Sequence, residues 1–244
     1  MEIIKNNNIK LKVIKSDIDD LDADLEKIDE PLCKKSGAYY IVGRPGSGKT
    51  SLWLSLLLTK NNGYYRKFDK IYLISNSLAT LPLDKLNLPE DQIYDEYNEE
   101  KLFEILASEK ESAENNNILL VIDDCIKDLK SKKFNKLILN RRHIIQNPNN
   151  NEVKSGVMIF ITGQTYNLLE LQVRKNMSDI IILYPTANTK ELTSIKSELM
   201  SDLTPKQQEE VLNLAWSKPY GFLYIKMNNQ KNKKYYSNFD LIKF

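Results

Sequence analysis

The stretch "AYYIVGRPGSGKTSLWLSLLL", residues 38 to 58, combines three kinds of sequence in one short segment. An apolar run typical of a buried strand is followed by a glycine-rich turn and then by an apolar run of helical length. Gly43, Gly48 and Lys49 lie at the spacing G-x-x-x-x-G-K-[ST]. In that pattern successive backbone N–H groups surround a phosphate at the amino end of a helix. The stretch therefore predicts a phosphate-binding loop between a strand and a helix.

Each position of this turn has a mechanical role. Glycine is needed because the chain must adopt positive φ and approach the phosphate without a Cβ in the way. Lys49 is predicted to reach the β- and γ-phosphates of a nucleotide, and the Thr50 hydroxyl to complete the coordination of Mg²⁺. The predicted nucleotide-binding residues are Gly43, Arg44, Pro45, Gly46, Ser47, Gly48, Lys49, Thr50 and Ser51.

Length, charge and cysteine content limit the classes of protein to consider. A chain of 244 residues can bury a full core, and one α/β domain with additions is expected. A net charge of +2 means that any DNA-binding surface must be a local patch. Cys33 and Cys125 form no metal or disulfide pattern, which suits a reducing compartment. The amino terminus lacks a long apolar segment, so we expect a cytosolic protein without a signal peptide or membrane span.

From Ala38 onward, apolar runs alternate with segments of helical composition. The apolar runs are "YYIV", "KIYLIS", "ILLVID", "VMIFIT" and "DIIILY". The predicted helices are 49–60, 98–114, 127–146 and 165–177. Because the strand runs are continuously apolar, they are typical of a parallel sheet covered on both faces. The pattern predicts a doubly wound α/β core.

Three regions are expected along the chain. Residues 1–35 form an amino-terminal extension, with a strand at 9–14 and helical spacing from Ile18 to Ile28. The core covers residues 36–185. Residues 186–244 are predicted to pack on it as an appendage. The predicted appendage contains helices at about 189–201 and 204–216, a capped start at Thr204-Pro205 with Gln207 and Gln208, and a strand-like "GFLYIKM".

Acidic and amide residues follow two of the predicted strands. Asp123 ends the strand in "NILLVIDDCI", where a carboxylate that organises Mg²⁺ belongs. Asp124 comes next and can align an attacking water and accept its proton. Gln164 ends the following strand, where its amide can bond both the γ-phosphate and the water. This set predicts nucleotide hydrolysis more than phosphoryl transfer to a metabolite.

Two arginines are candidates for stabilising transition-state charge from a neighbouring subunit. Arg142 lies at the end of the helix before the Gln164 strand, and Arg174 lies in "ELQVRKNMSDI". Each fits equally well as a surface cation near a helix end. His143, the single histidine, is expected to pack or to cap a helix.

The motifs "GRPGSGKT", "ILLVIDD", "RRHIIQ" and "FITGQTYNLLELQVRKNMSDIIIL" together resemble the FtsK/HerA superfamily of DNA-pumping ATPases. More narrowly, they resemble the poxvirus-type genome-packaging ATPases of large DNA viruses and virophages. The resemblance covers roughly residues 36–185. That family has an R-H pair, a strand-ending Gln and an R-x-N element. The corresponding residues here are Arg142, His143, Gln164, Arg174 and Asn176. Many members carry Glu where this chain has Asp124, although the viral branch also has Asp-Asp.

The resemblance implies a P-loop NTPase of the RecA-like, ASCE type, with a central, mostly parallel sheet flanked by helices. It implies ATP as substrate, Mg²⁺ as cofactor, and a ring-shaped homo-oligomer, a hexamer. The implied partners are double-stranded DNA and a capsid or portal component. The implied location is the host cytoplasm, in the viral factory, with association with the virion.

A lysine-rich stretch is one candidate for DNA contact. Phosphate contacts from such a stretch would be independent of sequence and sensitive to salt, but a solvated helix face explains it equally well. Its residues are Lys127, Lys130, Lys132, Lys133, Lys136, Arg141 and Arg142.

Two other functions share the nucleotide site. A helicase or replication-associated ATPase would need aromatic side chains that stack single-stranded bases, and the available ones are Tyr64, Tyr65, Tyr94 and Tyr97. A nucleotide-binding scaffold protein is the other alternative. The paired acids and Gln164 argue against a scaffold, because a module that does not hydrolyse nucleotide would not need them.

Overall fold

The computed structural model describes residues 25–60, 63–111, 116–125, 129–147, 154–183 and 188–244. The predicted strand at 9–14 lies outside these residues, as does most of the helical pattern after it. Leu25 and Ile28, at the end of that pattern, lie in a segment of turns and bends that runs to Gly37. The predicted helix therefore does not continue into the described segment. None of the helices in these ranges has the length and apolar character required to cross a bilayer.

The strands of the described residues form one mixed sheet in the order β3-β2-β4-β5-β1-β6-β7-β8-β9. They are β1 (Ala38–Val42), β2 (Lys70–Ser75), β3 (Ile93–Tyr94), β4 (Asn116–Asp123), β5 (Ser155–Gly163), β6 (Asp179–Leu183), β7 (Phe222–Lys226), β8 (Tyr235–Ser237) and β9 (Asp240–Leu241). Neighbouring strands from β3 to β6 are parallel, and β7, β8 and β9 continue the sheet antiparallel. The predicted, mostly parallel sheet is confirmed.

Helices cover both faces of the sheet. They are α1 (Lys49–Leu58), α2 (Leu83–Leu86), α3 (Glu99–Glu111), α4 (Lys132–Asn140), α5 (Leu171–Lys175), α6 (Thr189–Leu199) and α7 (Pro205–Ala215). The buried side chains of α3 to α7 join one core cluster, whereas α1 packs on the other face with the segment after Leu25. The doubly wound layout follows from this division.

The strand β1 shows why its sequence is continuously apolar. Tyr40 and Val42 point into one core cluster, and Tyr39 and Ile41 point into the other. Since successive side chains of a strand alternate between the faces, a strand covered on both sides must be apolar at every position. Removal of this surface from water is the main stabilising contribution to such a core.

The carboxy-terminal region is built into the same sheet. Strand β7 pairs antiparallel with β6, and the buried residues of α6 and α7 belong to the same cluster as those of α3 to α5. The predicted helix start at Thr204 is confirmed, because its side chain accepts from the Gln207 N–H and Gln207 completes a capping box. The Trp216 indole donates to the Ile182 carbonyl at 3.1 Å, which ties the end of α7 to β6.

Two predicted helices are much shorter than the sequence pattern suggests, whereas the others differ from it by a few residues at their ends. The pattern at 127–146 contains α4, whose first residue follows Ser131, and the Ser131 side chain accepts from the Phe134 N–H at 2.9 Å. Such a side-chain cap defines a helix start more sharply than composition does. The pattern at 165–177 divides into a 3₁₀ turn and α5, because Leu169 and Glu170 between them are extended.

The strand register brings the predicted site residues to one edge of the sheet. Strand β5 lies between β1 and β4, with Val42 opposite Gly163 and Ile122 opposite Ile161. The glycine-rich loop follows β1, the acidic pair ends β4, and Gln164 follows β5. Parallel strands end at a common edge, so the three elements of the predicted site become neighbours.

Candidate active site

The glycine-rich loop connects β1 directly to α1. Gly48 precedes the helix with φ of 97°, a left-handed conformation that glycine adopts without strain. At Gly43 a larger residue is excluded by lack of space, because a Cβ there would lie 2.3 Å from the Ser47 Oγ. The Gly43 N–H also donates to the Gly163 carbonyl at 3.0 Å, which joins the start of the loop to the end of β5.

The Lys49 side chain lies over this loop. Its Nζ donates to the carbonyls of Gly43 at 2.7 Å and Arg44 at 3.2 Å. Partial burial lowers the pKa of Lys49, and the nearby carboxylates of Asp124 and Asp123 oppose that shift. The ammonium group therefore lies within electrostatic reach of both predicted acids, as a shared nucleotide site requires.

The loop fits a bound phosphate. The Ser47 hydroxyl is buried and has no hydrogen-bond partner among the described residues, which is unusual for a buried polar group. Space lies open beside Gly46, where a Cβ would meet no atom within 4 Å. A helix amino terminus, a lysine ammonium and an unsatisfied hydroxyl are together suited to hold an anion.

Asp123 is held by hydroxyl groups from both neighbouring strands. Its side chain is only 4% exposed, and its carboxylate accepts from Thr162 at 2.7 Å and from Ser75 at 3.3 Å. These bonds orient a carboxylate that would otherwise lose hydration without compensation.

Asp124 lies beside Asp123 in the chain but has a different environment. Its backbone is left-handed, with φ of 59°, and its N–H donates to the Thr162 Oγ1 at 2.9 Å. Aspartate tolerates this conformation better than most residues do. One carboxylate of the pair is thus buried among hydroxyls, and the other is exposed at the edge of the sheet.

Gln164 contacts the exposed acid directly. Its Nε2 donates to the two carboxylate oxygens of Asp124 at 3.1 and 3.3 Å. The structure therefore brings together the amide and the carboxylate that were predicted to handle an attacking water.

The residues present also fit a magnesium ion. Mg²⁺ prefers oxygen ligands and usually takes one or two from the protein and others from phosphates and water. Thr50 and Asp123 would supply the oxygens at this site, with Ser75 and Thr162 orienting the carboxylate. Across the described ranges, His, Cys, Asp and Glu side chains form no cluster of three that could bind a metal alone.

The two candidate arginines differ in their surroundings. Arg174 is 7% exposed and pairs with Glu198 through Nη2 at 2.9 Å and Nε at 3.2 Å. Its guanidinium also lies 4.5 Å from the centre of the Tyr166 ring and donates to the Leu169 carbonyl. Arg142 is exposed in the turn after α4. Of the two, only Arg142 presents its side chain at the surface.

The residues of the R-H pair and of the basic stretch differ from one another in exposure. The His143 Nδ1 lies 3.0 Å from the Gln146 Oε1, a local contact within the same turn. Arg141 is buried, where it donates to the Ser178 Oγ at 2.8 Å and the Ile138 carbonyl at 2.5 Å. It is therefore not a surface cation. Lys127 lies outside the described residues, whereas Lys132, Lys133 and Lys136 are exposed on α4.

A cleft of about 600 Å³ opens beside the loop. Its other walls come from α1, the end of β6 and the segment before β7. The lining residues outside the loop are Leu52, Ser55, Leu183, Tyr220 and Phe222. Tyr220 is 72% exposed, and its ring edge lies 3.6 Å from where a Cβ on Gly48 would stand. Tyr220 is not among the predicted site residues, since no motif links it to a loop so distant in the chain.

Comparisons with known proteins identify structural relatives only. No family model matches the sequence, and no curated protein matches it. Among solved structures, the genome packaging NTPase B204 from Sulfolobus turreted icosahedral virus 2 in complex with sulfate has a TM-score of 0.58 at 20% identity, covering 85% of this chain and 98% of that chain.

Two further structures agree with this result. The same NTPase in complex with ATPγS has a TM-score of 0.56 at 18% identity, covering 85% of this chain and 98% of that chain. B204, the DNA-packaging ATPase from Sulfolobus turreted icosahedral virus, has a TM-score of 0.57 at 17% identity, covering 84% of this chain and 98% of that chain. At these identities the likeness concerns the fold. The chain therefore shares with these packaging NTPases a fold in which a mostly parallel sheet is flanked by helices.

Proposed function

We propose that the protein is a Mg²⁺-dependent ATPase that moves double-stranded DNA into a viral capsid. One observation carries the proposal. The Lys49 ammonium lies within electrostatic reach of Asp123 and Asp124, and Asp124 is in contact with Gln164. A phosphate-binding loop, a metal-organising acid and a water-aligning pair at one sheet edge are the components of nucleotide hydrolysis.

Each component has a defined task in this mechanism. Backbone N–H groups of the loop and the Lys49 ammonium bind the phosphates and stabilise charge that develops on the γ-phosphoryl group. Asp124 accepts a proton from the attacking water, and Gln164 orients that water against the phosphorus. Bound Mg²⁺ would supply charge neutralisation on the phosphates. Asp123 and Thr50 would hold it.

The nucleoside is proposed to occupy the cleft beside the loop. Tyr220 offers an exposed aromatic face there, and bases stack on such faces. The cleft volume of about 600 Å³ falls within the range of pockets that hold small molecules.

The site needs a further cation to match the expected charge of the transition state. We assign that role to Arg142 of a neighbouring subunit in a hexameric ring, because Arg174 is committed to Glu198 within its own chain. A ring of this kind would surround double-stranded DNA and dock on a capsid component in the host cytoplasm. The fold shared with viral packaging NTPases supports the packaging function.

The experiment is an ATPase assay with and without double-stranded DNA. We expect hydrolysis that DNA stimulates and that Lys49→Ala reduces by about 10³-fold, because the variant lacks the charge at the γ-phosphate. The matched control is Lys206→Ala, whose side chain is 88% exposed on α7. Full activity in Lys49→Ala, or wild-type protein that binds ATP without releasing phosphate, would contradict the proposal.

Forked DNA substrates separate this function from that of a helicase. Unwinding of a fork would favour the helicase. A helicase would need exposed aromatic side chains that stack bases. Tyr64, one of the candidates, is 1% exposed in the core and is hydrogen-bonded to the Tyr39 hydroxyl at 2.6 Å. A side chain so placed cannot stack a base.

A further inference from the structure

The segment 164–166, here named the glutamine loop, is held from several sides by groups outside the predicted motifs. From β1, the Tyr40 hydroxyl donates to the carbonyl of Thr165 at 2.8 Å and to that of Tyr166 at 3.3 Å. From α6, the Glu191 carboxylate accepts from the Tyr166 N–H at 2.5 Å. The backbone immediately after Gln164 is therefore bonded on both its carbonyl and its amide side.

The Glu191 carboxylate is buried, which the packing of apolar side chains does not explain. It is only 5% exposed, although carboxylates are rarely buried without a specific partner. A cleft of about 170 Å³ separates it from the nucleotide loop, and Gly43, Arg44 and Gln164 line the same cleft. Glu191 thus lines the same cleft as Gln164 and the start of the nucleotide loop.

The side chain of Tyr166 also connects the glutamine loop to α6. Its hydroxyl donates to the Glu198 Oε2 at 2.8 Å, and the Arg174 guanidinium covers its ring. Two carboxylates of α6 therefore hold one residue of the loop, one through its backbone and the other through its side chain. A hydrogen bond to a carboxylate is stronger than a neutral one, so Glu191 provides a firm anchor.

We propose that Glu191 is a positioning residue for ATP hydrolysis. By fixing the Tyr166 N–H, it sets the backbone of the glutamine loop so that the Gln164 amide meets the Asp124 carboxylate. It acts through Gln164 and does not touch the reacting atoms. The inference rests on the proposed function, in which Gln164 orients the attacking water.

A double-mutant cycle tests the connection between the two residues. Glu191→Ala is expected to lower kcat by about 30-fold while the Kd for ATP changes by less than about twofold, because geometry is lost and phosphate binding is retained. Gln164→Ala alone is expected to lower kcat by about 100-fold. If Glu191 acts through Gln164, the kcat of the double variant should lie within about twofold of the kcat of Gln164→Ala.

Three variants separate positioning from general stability. Glu191→Gln keeps an oxygen that accepts the same N–H, and it should restore kcat to within about threefold of wild type. Glu109→Ala removes another carboxylate that is 5% exposed, but one bonded to Lys70, Tyr72 and Asn116. It should lower thermal stability without the loss of kcat. If Glu191→Ala does not fold, Tyr40→Phe tests the loop from β1, with an expected fall in kcat of about fivefold that disappears in the Gln164→Ala background.

The outcomes distinguish the two proposals. Wild-type protein without ATPase activity, or a Gln164→Ala variant with full activity, would overturn the proposed function. A different result would overturn the positioning role alone. In that result the wild type is active and Gln164→Ala is slow, but Glu191→Ala lowers kcat by the same factor in the Gln164→Ala background as in the wild type. Equal losses of kcat in Glu191→Gln and Glu191→Ala would also overturn it.

Discussion

Thr162 is the residue on which both acids depend. Its side chain is completely buried in β5, where the hydroxyl donates to Asp123 and accepts from the Asp124 N–H. One hydroxyl therefore satisfies a buried carboxylate and fixes the backbone of the next residue. Gln164, two positions later on the same strand end, then contacts the second carboxylate.

Replacement of this hydroxyl should affect catalysis more than folding. Thr162→Val keeps the shape but leaves the Asp124 N–H without its acceptor and Asp123 with only the Ser75 hydroxyl, so we expect kcat for ATP to fall by about 10- to 100-fold. Thr162→Ser keeps the hydroxyl and should retain most of the activity. Steady-state ATPase assays, with thermal unfolding as a check on folding, measure the difference. Equal activity of the Val and Ser variants would contradict this role.

Tyr220 provides a separate test of the nucleoside position. Loss of a stacked aromatic ring typically costs about 1–3 kcal/mol per base. We therefore expect Tyr220→Ala to raise the KM for ATP by about tenfold with little change in kcat, and Tyr220→Phe to resemble wild type. A fluorescent ATP analogue should likewise bind Tyr220→Ala more weakly than it binds Tyr220→Phe and the wild type. An unchanged KM in Tyr220→Ala would place the base elsewhere.

At the level of strands and segments, Asp179 links the first residue of β6 to the segment before β1. Its carboxylate accepts from the Cys33 Sγ at 2.6 Å and from the Tyr224 hydroxyl at 2.8 Å. Burial raises the pKa of Asp179 from its ordinary 3.8 to about 6, although these hydrogen bonds favour the charged form. The segment around Cys33 is thus held by a carboxyl that titrates in a mildly acidic range.

This raised pKa predicts a pH dependence of stability. Because the folded state binds the proton more tightly than the unfolded state, the carboxyl lowers the free energy of unfolding as the pH rises from 3.8 to about 6. Relative to Asp179→Asn, the wild-type value should fall by about 2 kcal/mol between pH 4 and pH 7. Urea unfolding at several pH values measures it, with the exposed Asp240→Asn as control. Parallel curves for wild type and Asp179→Asn would contradict the shift.

At the scale of the whole molecule, the proposed site combines residues of one chain with an arginine expected from a neighbouring subunit. The loop, the acids and Gln164 belong to one sheet edge. Arg174 binds Glu198 of its own chain, whereas Arg142 is exposed. In a ring of identical subunits, each interface joins two different surfaces, so one subunit can complete the site of the next.

Mixing of two inactive variants tests this arrangement. Lys49→Ala retains Arg142, and Arg142→Ala retains the nucleotide loop, so an interface between them contains one complete site. An equal mixture assembled at random should recover about a quarter of the wild-type activity, because a quarter of its interfaces have both groups. Each variant alone and a mixture that cannot exchange subunits are the controls. Activity in the mixture no greater than in the separate variants would show that Arg142 does not act between subunits.

Local sequence was sufficient for much of the fold and part of the site. The glycine loop, the paired acids, the parallel strands and the capped start at Thr204 all depend on contiguous residues or on short periodic patterns. Such features have strong local causes, including positive φ at glycine, burial of both faces of a strand and side-chain capping. The segment 76–97 was not predicted, since its short turns and the two-residue β3 have no periodicity.

The remaining features depended on contacts between residues far apart in the chain. The different surroundings of Arg174 and Arg142 follow from Glu198 and Tyr166, which belong to other elements. Likewise, Tyr220 reaches the cleft only because β7 pairs with β6, and Glu191 reaches the glutamine loop only because α6 packs against the 3₁₀ turn after β5. A sequence pattern specifies which side chains are available and where strands end. The partners of a buried charge are set by packing across the sheet, which no local pattern encodes.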